Sequence, residues 1–251
     1  MTQKGKVAIV TGAAQGIGVE YAKGLSSMGM RIAVADINLE KAQAVADDII
    51  NSGGEAMAVA VDVSSKESTL EMAKVVREAF GAPVEVLINN AAIYHSMRMD
   101  PMSKVDIEYW RKVFSVNLDG ALLCIQAVAP QMIEAGWGRI INQTSSSAYL
   151  GSGGHYGCSK MALIGLTQGF AKEFGPHGIT VNAIAPGTIF TEATEVTVPE
   201  VIKDNVVKMQ AIPRKGQPED LVGMVKFLCS DEASWITAQT HLVDGGTAKR
   251  L

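Results

Sequence analysis

Short apolar runs alternate along this chain with longer stretches in which apolar residues recur every three or four positions. The first run, Val7-Ala8-Ile9-Val10, follows a polar N-terminal stretch and ends at Thr11-Gly12. From Gly16 onward, Ile17, Tyr21 and Leu25 recur at four-residue spacing, one apolar stripe on a helix. Arg31–Ala35 then reads as a strand, Leu39–Ile50 as a helix and Ala56–Val61 as a strand. Thr69–Phe80 continues as a helix and Val84–Ile88 as a fourth strand. Further strand-like runs follow at Arg139–Asn142, Thr180–Ala183 and Thr240–Val243, separated by helical patterns. Short apolar strands alternating with helices predict a parallel sheet covered on both faces, the doubly wound α/β architecture. No linker, repeat or low-complexity stretch divides the chain, so residues 1–251 are expected to form one domain. Residues 187–213 carry weak periodicity, punctuated by Gly187, Pro199 and Pro213, with a short helix expected near Val201–Met209. Such a segment inside an α/β domain predicts a substrate loop.

Composition agrees with a packed enzyme-sized domain and narrows the partners. Apolar residues make up 47% of the chain and charged residues 19%, enough to bury a large core and too apolar for disorder. A net charge of −4 gives no electrostatic reason to expect nucleic acid or an anionic membrane as partner. Cys124, Cys158 and Cys229 are scattered, with no C-x-x-C or Cys/His cluster, so neither a disulfide framework nor a metal site is expected. Scattered thiols fit a reducing compartment. No apolar run approaches the roughly 18 residues of a membrane helix, and Val7–Val10 is too short for a signal-peptide core. A cytoplasmic protein is expected.

The chemistry is written first in the turn between the first strand and the first helix. Gly12, Gln15, Gly16, Ile17 and Gly18 lie in Thr11-Gly12-Ala13-Ala14-Gln15-Gly16-Ile17-Gly18. A pyrophosphate needs such a tight turn, close backbone approach and free N–H groups at a helix N-terminus. Asp36 ends the second strand, where a carboxylate can accept both ribose hydroxyls of an adenosine and repel a 2′-phosphate. No Lys or Arg stands at Ala14, Gln15, Ile37 or Asn38 to offset that repulsion, so NAD is favoured over NADP. Asp62-Val63, after the third strand, can similarly place a carboxylate near the adenine amino group. Tyr156 and Lys160 are spaced i, i+4 and so share one helix face. A nearby ammonium favours phenolate over phenol, which predicts a lowered Tyr156 pKa and a proton exchanged with a substrate oxygen.

Taken together, Thr11-Gly12-x₃-Gly16-x-Gly18, Asp36, Asn89-Asn90-Ala91-Ala92, Asn117, Ser145, Tyr156-x₃-Lys160, Pro186-Gly187 and Val243-Asp244-Gly245-Gly246 occur in one order along the whole chain. In these motifs the chain closely resembles the short-chain dehydrogenase/reductase family, in its compact, NAD-preferring branch. The resemblance implies a Rossmann-type fold and hydride transfer between NAD(H) and a secondary alcohol or ketone. It makes Tyr156 the general acid/base, with Lys160 lowering its pKa and holding the nicotinamide ribose. Ser145 would hydrogen-bond the substrate oxygen, and Asn117 would keep a water in a proton relay behind Lys160. Asn89 and Ala91 would line the adenosine side, while Pro186, Gly187, Ile189 and Thr191 would meet the nicotinamide end. It also implies a homotetramer, with late helices and the C-terminal strand at the interfaces.

Two departures mark where this chain leaves the pattern. The usual Asn-Asn-Ala-Gly reads Asn-Asn-Ala-Ala, so Ala92 must accept the glycine's backbone conformation, which would be costly in the left-handed region. Ser145 precedes Tyr156 by only 11 residues, a shortened stretch, and the run Thr144-Ser145-Ser146-Ser147 leaves Ser146 as an alternative. His95, His155 and Tyr149 border the expected substrate site, His95 and Tyr149 with Ser145 and Tyr156 being the substrate candidates. Tyr94, Leu150, Phe190 and Met209 are further candidates for an apolar wall, and Met97, Met99 and Met102 for packing. The segment after Gly187 has Glu192 and Glu195 as its first acids and no cation before Lys203, which points to a small, neutral, partly apolar substrate. Two alternatives stay open: an NADP-dependent reductase of an oxoacyl thioester or sugar, and a catalytically silent dinucleotide-binding regulator.

Overall fold

The computed structural model describes residues 3–94, 97–98, 100–198 and 200–248. Its centre is a seven-stranded parallel sheet: β1 (Val7–Thr11), β2 (Arg31–Asp36), β3 (Glu55–Ala60), β4 (Val84–Asn89), β5 (Gly138–Gln143), β6 (Ile179–Pro186) and β7 (Thr240–Val243). The spatial order is β3-β2-β1-β4-β5-β6-β7. The chain runs outward from β1 in one direction, then returns and runs outward from β4 in the other. This reversal leaves a crevice beyond the carboxyl ends of β1 and β4, where connections leave to opposite sides.

The strands are buried on both faces because helices cover both. Alternate β1 residues go to opposite cores, as a strand's period of two requires. Ala8 and Val10 pack with α1 (Ile17–Ser26), α2 (Leu39–Asn51) and a late helix at Glu219–Leu228. Val7 and Ile9 face the other way, toward α3 (Lys66–Phe80) and the later helices α5 (Gly120–Ala135) and α7 (Gly154–Phe174). Between α3 and α5 lies α4 (Ile107–Phe114), joined to α5 by one π-type turn at Ser115–Asp119. The doubly wound architecture read from the sequence is therefore the observed one.

Three local differences have physical causes. The stretch Ile107–Ala135 is one 29-residue helical run with a mean hydropathy of 1.4 in its most apolar window, long enough to span a bilayer, although no uninterrupted apolar run of that length exists. Half of that window is buried in the fold, where α5 packs on β4, α3 and α7. The shortened stretch before Tyr156 folds as α6 (Ser147–Leu150) and a glycine-rich turn. Gly151, Gly153 and Gly154 take φ of 61°, 76° and 53°, the left-handed region that lets so few residues reverse direction. The segment after β6 holds α8 (Glu192–Thr197) and α9 (Glu200–Met209), more helix than the weak periodicity predicts. Glu219–Leu228 is accordingly α10.

Candidate active site

The crevice beyond β1 and β4 is a cleft of about 550 Å³. Its floor begins with a clasp between two strand ends. Thr11 Oγ1 donates to the Ile88 carbonyl at 3.2 Å and accepts from the backbone N–H groups of Asn90 and Ala91 at 3.1 and 3.2 Å. Asn90 Nδ2 donates to the carbonyls of Thr11 and Gly12, both at 2.9 Å. These bonds hold the glycine turn against the end of β4. Gly12, at φ 63°, lies so close that a Cβ there would come within 2.7 Å of Ala91 Cα. Gly18 is packed against the turn itself, where a Cβ would come within 2.3 Å of the Gly12 carbonyl oxygen. Gly12, Gln15, Gly16 and Ile17 line the cleft, while Gly18 lies behind it as the close-packing glycine.

Asp36 and Asp62 reach the cleft from the ends of β2 and β3, with Val63 beside Asp62. Asp36 is held by two backbone donors, Ala14 N at 3.0 Å and Asn38 N at 2.9 Å. α1 begins at Gly16 with no side chain capping its first N–H groups, and those groups open on the cleft. An uncapped helix N-terminus beside a glycine cradle fits a phosphate-bearing ligand.

One expected cofactor residue lies elsewhere. Asn89 is buried, its Nδ2 donating to Asn142 Oδ1 at 2.8 Å across the β4–β5 register, and it does not line the cleft. As the last residue of β4 it points into the sheet interior, and its neighbour Asn90 takes the place at the turn. Ala91 and Ala92 do line the cleft. Ala92 takes no left-handed conformation; among the described non-glycine residues only Ala238 has a positive φ. The missing glycine therefore costs this turn nothing.

At the other end of the cleft, β5 and α7 bring the reactive groups together. Tyr156 and Lys160 share one face of α7, with Lys160 Nζ 5.6 Å from the phenol ring centroid. Lys160 is 1% exposed, and its Nζ donates to the Gln143 carbonyl at 2.8 Å. Thr144 Oγ1 donates back to the Lys160 carbonyl at 2.5 Å, so the β5 end and α7 are tied twice. Burial pulls the Lys160 ammonium down to about 7. Burial also pushes the Tyr156 phenol well above its ordinary range, helped by Tyr94, with a hydrogen bond from Ser145 acting the other way. The lowered phenol expected from the sequence is thus reversed here: the ammonium is turned toward Gln143, and desolvation outweighs it.

Ser145 is the serine bonded to Tyr156; its Oγ also accepts from Ser147 N at 3.1 Å. Ser146 lines the cleft as well, but its backbone N–H is committed to the Pro186 carbonyl. Asn117 sits in the π-type turn, 2% exposed, its Oδ1 accepting from Ile93 N at 2.7 Å and its Nδ2 donating to Ser159 Oγ at 3.2 Å. It meets Lys160 in a small buried void behind the cleft, together with Asn89. Pro186, Gly187, Ile189 and Thr191 all line the cleft.

Among the substrate candidates, His95 lies outside the described residues, as does Met99. Tyr149, half-buried on α6, is not part of the lining, and neither are Leu150, Phe190 and Met209. His155 is buried in the first turn of α7, edge-on to Tyr109 with ring centroids 5.2 Å apart. Neither ring nitrogen has a hydrogen-bond partner, and burial keeps the imidazole below its ordinary pKa. It faces away from the cleft rather than bordering the substrate. Among the lining residues that sequence reading gave no role are Lys112, Asn90, Gln143, Thr188 and Thr194. No motif marks the last three; they become visible once β5 and α8 are placed.

Comparison with known proteins agrees with this site. Residues 12–248 match the family model described as enoyl-(acyl carrier protein) reductase. The chain is 49% identical over 241 residues to an uncharacterized oxidoreductase of Mycobacterium tuberculosis, covering 96% of each. It is 40% identical over 245 residues to a 3-oxoacyl-[acyl-carrier-protein] reductase of Synechocystis, again covering 96% of each. A proposed NAD(P)-dependent gluconate 5-dehydrogenase from Beutenbergia cavernae, solved with NADP bound at low occupancy, superposes with a TM-score of 0.91 at 33% identity, covering 98% of each chain. A Rossmann-type fold with this cleft and this match defines a dinucleotide-dependent enzyme class. The chain belongs to the short-chain dehydrogenase/reductase family and is an oxidoreductase.

The packing of Gly18 gives a first prediction. Gly18→Ala forces a Cβ against backbone, so it should destabilise by ~1–3 kcal/mol and weaken binding of a reduced nicotinamide dinucleotide at least ~10-fold. Gly165→Ala, on an exposed α7 position with open space around it, should leave binding unchanged and raise stability by up to about 1 kcal/mol. Urea unfolding and NADH fluorescence titration of both variants check this; equal behaviour would contradict it.

Proposed function

We propose that the protein transfers hydride between NAD(H) and a neutral secondary alcohol or ketone, with Tyr156 handling the substrate-oxygen proton. The observation that supports this best is the Tyr156 phenol, half-buried and lining the cleft, bonded to Ser145 and backed by the buried Lys160. When bound, the nicotinamide supplies or accepts the hydride. Gly12, Gln15 and Gly16 with the first turn of α1 would hold its pyrophosphate, Asp36 its adenosine ribose, and Ile189 and Thr191 its carboxamide end.

The chain's own residues then account for the proton. The raised pKa keeps Tyr156 protonated at neutral pH, the form that can donate to a ketone oxygen during reduction. Ser145 gives a second hydrogen bond to that oxygen and stabilises the charge that develops there. Lys160, pulled down to about 7, changes protonation in the working range and can return a proton to the phenolate beside it, with Asn117 lining the void behind it. In oxidation the same path runs backward.

Support for NAD comes from Asp36. A carboxylate about 4 Å from a phosphate charge costs roughly 4 kcal/mol in a surface-like dielectric, and no Lys or Arg occupies positions 14, 15, 37 or 38. The Beutenbergia relative was solved with NADP, whereas in this chain Asp36 argues for NAD. Support for a neutral substrate comes from the lining that meets Tyr156. Besides Asp36 and Asp62 at the strand ends and Lys112 and Lys160, the cleft lining is uncharged, with Ile93, Tyr94, Ser147, Thr188, Ala193 and Thr194 among it.

Two outcomes are expected. Tyr156→Phe should lower kcat by ~10²–10⁴-fold while NADH affinity stays within ~3-fold; retained turnover would remove Tyr156 from its role. NAD should exceed NADP in kcat/KM by ~100-fold, and Asp36→Ala should cut that preference by at least ~10-fold. Initial rates with cyclohexanol and cyclohexanone check this, and a preference for NADP in the unaltered protein would overturn the cofactor assignment.

A further inference from the structure

Tyr94 is held at both ends of its side chain. Its ring lies tilted at 52° against the Tyr156 ring, centroids 5.4 Å apart. Its hydroxyl is bonded to Thr194 on α8. Thr194 also donates its hydroxyl to the Ile189 carbonyl at 2.6 Å. A chain of hydrogen bonds therefore runs from the loop after β4, across the cleft, to the loop after β6. Tyr94 thus covers one side of the Tyr156 ring, while Ser145 is bonded at the phenol's oxygen.

Other features of the molecule yield less. Arg139, buried between Trp137 and the carbonyls of Gly178 and Ser230, braces the β5 and β6 starts far from the cleft. Lys203 ties α9 to Glu195 on α8 and rigidifies the same wall from outside.

We infer that Tyr94 is a specificity-determining residue, a fixed aromatic wall that limits the size of the group carried on the substrate's reacting carbon and shields Tyr156 from water. The inference rests on the reading of Tyr156 as the proton donor. Fixing matters: a ring held at the hydroxyl and packed at a tilt against a neighbour cannot swing aside for a larger substrate as a freely rotating side chain can. Among the described residues, the ionisable groups around Tyr156 are Lys160 from its own helix and Tyr94 from the β4 loop, with the Ser145 hydroxyl from the β5 end. Removing the Tyr94 ring opens the phenol to solvent and leaves the other two in place.

Two variants separate wall from scaffold. Tyr94→Ala removes the ring, whereas Tyr94→Phe keeps it and removes only the bond to Thr194. With isopropanol and diphenylmethanol as probes and NAD as oxidant, Tyr94→Ala should raise the kcat/KM ratio of the larger alcohol to the smaller at least ~10-fold. Tyr94→Phe should leave that ratio within ~2-fold. An unmoved ratio in Tyr94→Ala, or an equal shift in Tyr94→Phe, would overturn the inference. A second readout needs no substrate. Both variants retain the same four tyrosines, Tyr21, Tyr109, Tyr149 and Tyr156, so their tyrosinate absorbance titrations differ only through surroundings. One tyrosine should ionise at lower pH in Tyr94→Ala than in Tyr94→Phe; superimposable curves would count against the wall. If the unaltered protein binds NADH yet oxidises neither alcohol with NAD or NADP, the hydride-transfer reading fails, and the absorbance titration still decides the wall.

Discussion

The active end of this molecule is organised around a lysine that the fold has taken almost completely out of water. An ammonium in such a place is costly unless it is partnered, and Lys160 has one direct acceptor, the Gln143 carbonyl at the end of β5. The position of that carbonyl is set by the parallel pairing of β5 with β4 and β6. The position of Nζ is set by α7, whose start is fixed by the glycine turn after α6. One buried charge thus couples sheet, helix and turn, and it brings Tyr156 and Ser145 into register at the cleft. The consequence is a pair of groups pushed in opposite directions by the same desolvation, phenol upward and ammonium downward. The downward shift brings the lysine's proton exchange near neutral, while the upward shift keeps the tyrosine protonated.

The cofactor end depends on a different kind of constraint, close approach of backbone. Thr11 and Asn90 lock the glycine turn to the end of β4 with five hydrogen bonds, counting each donor–acceptor pair once. The glycines leave no space for side chains there, and α1 points its uncapped N–H groups at the same spot. This arrangement lies at the reversal of strand order, so the two ends of the cleft are built from opposite halves of the sheet. In the proposed reading, one half holds a dinucleotide while the other supplies the proton chemistry.

Much of this was legible in the residues themselves. Apolar periodicity gave the strands and helices because each strand is buried on both faces and reads as a continuous run. The glycine turn, Asp36 and the Tyr156–Lys160 spacing are local signals, and they lie where local reasoning puts them. What sequence could not give depends on three-dimensional balance. Asn89 and Asn90 are neighbours, and only strand alternation decides that the first turns inward to Asn142 while the second braces the turn. His155 reads as a loop residue until three glycines fold the short stretch and bury it. The sign of the Tyr156 shift is of the same kind, since spacing shows a nearby ammonium but not where that ammonium points.

The claim on which the rest turns is that Lys160 is desolvated enough to change protonation near neutral pH. Carbon-13 NMR of the protein with lysine labelled at Cε measures this directly, the Lys160 signal being assigned by its loss in Lys160→Met. The account predicts a Cε titration with a midpoint at about 7, far below the other lysines. A midpoint at the ordinary lysine value of about 10.4 would contradict it.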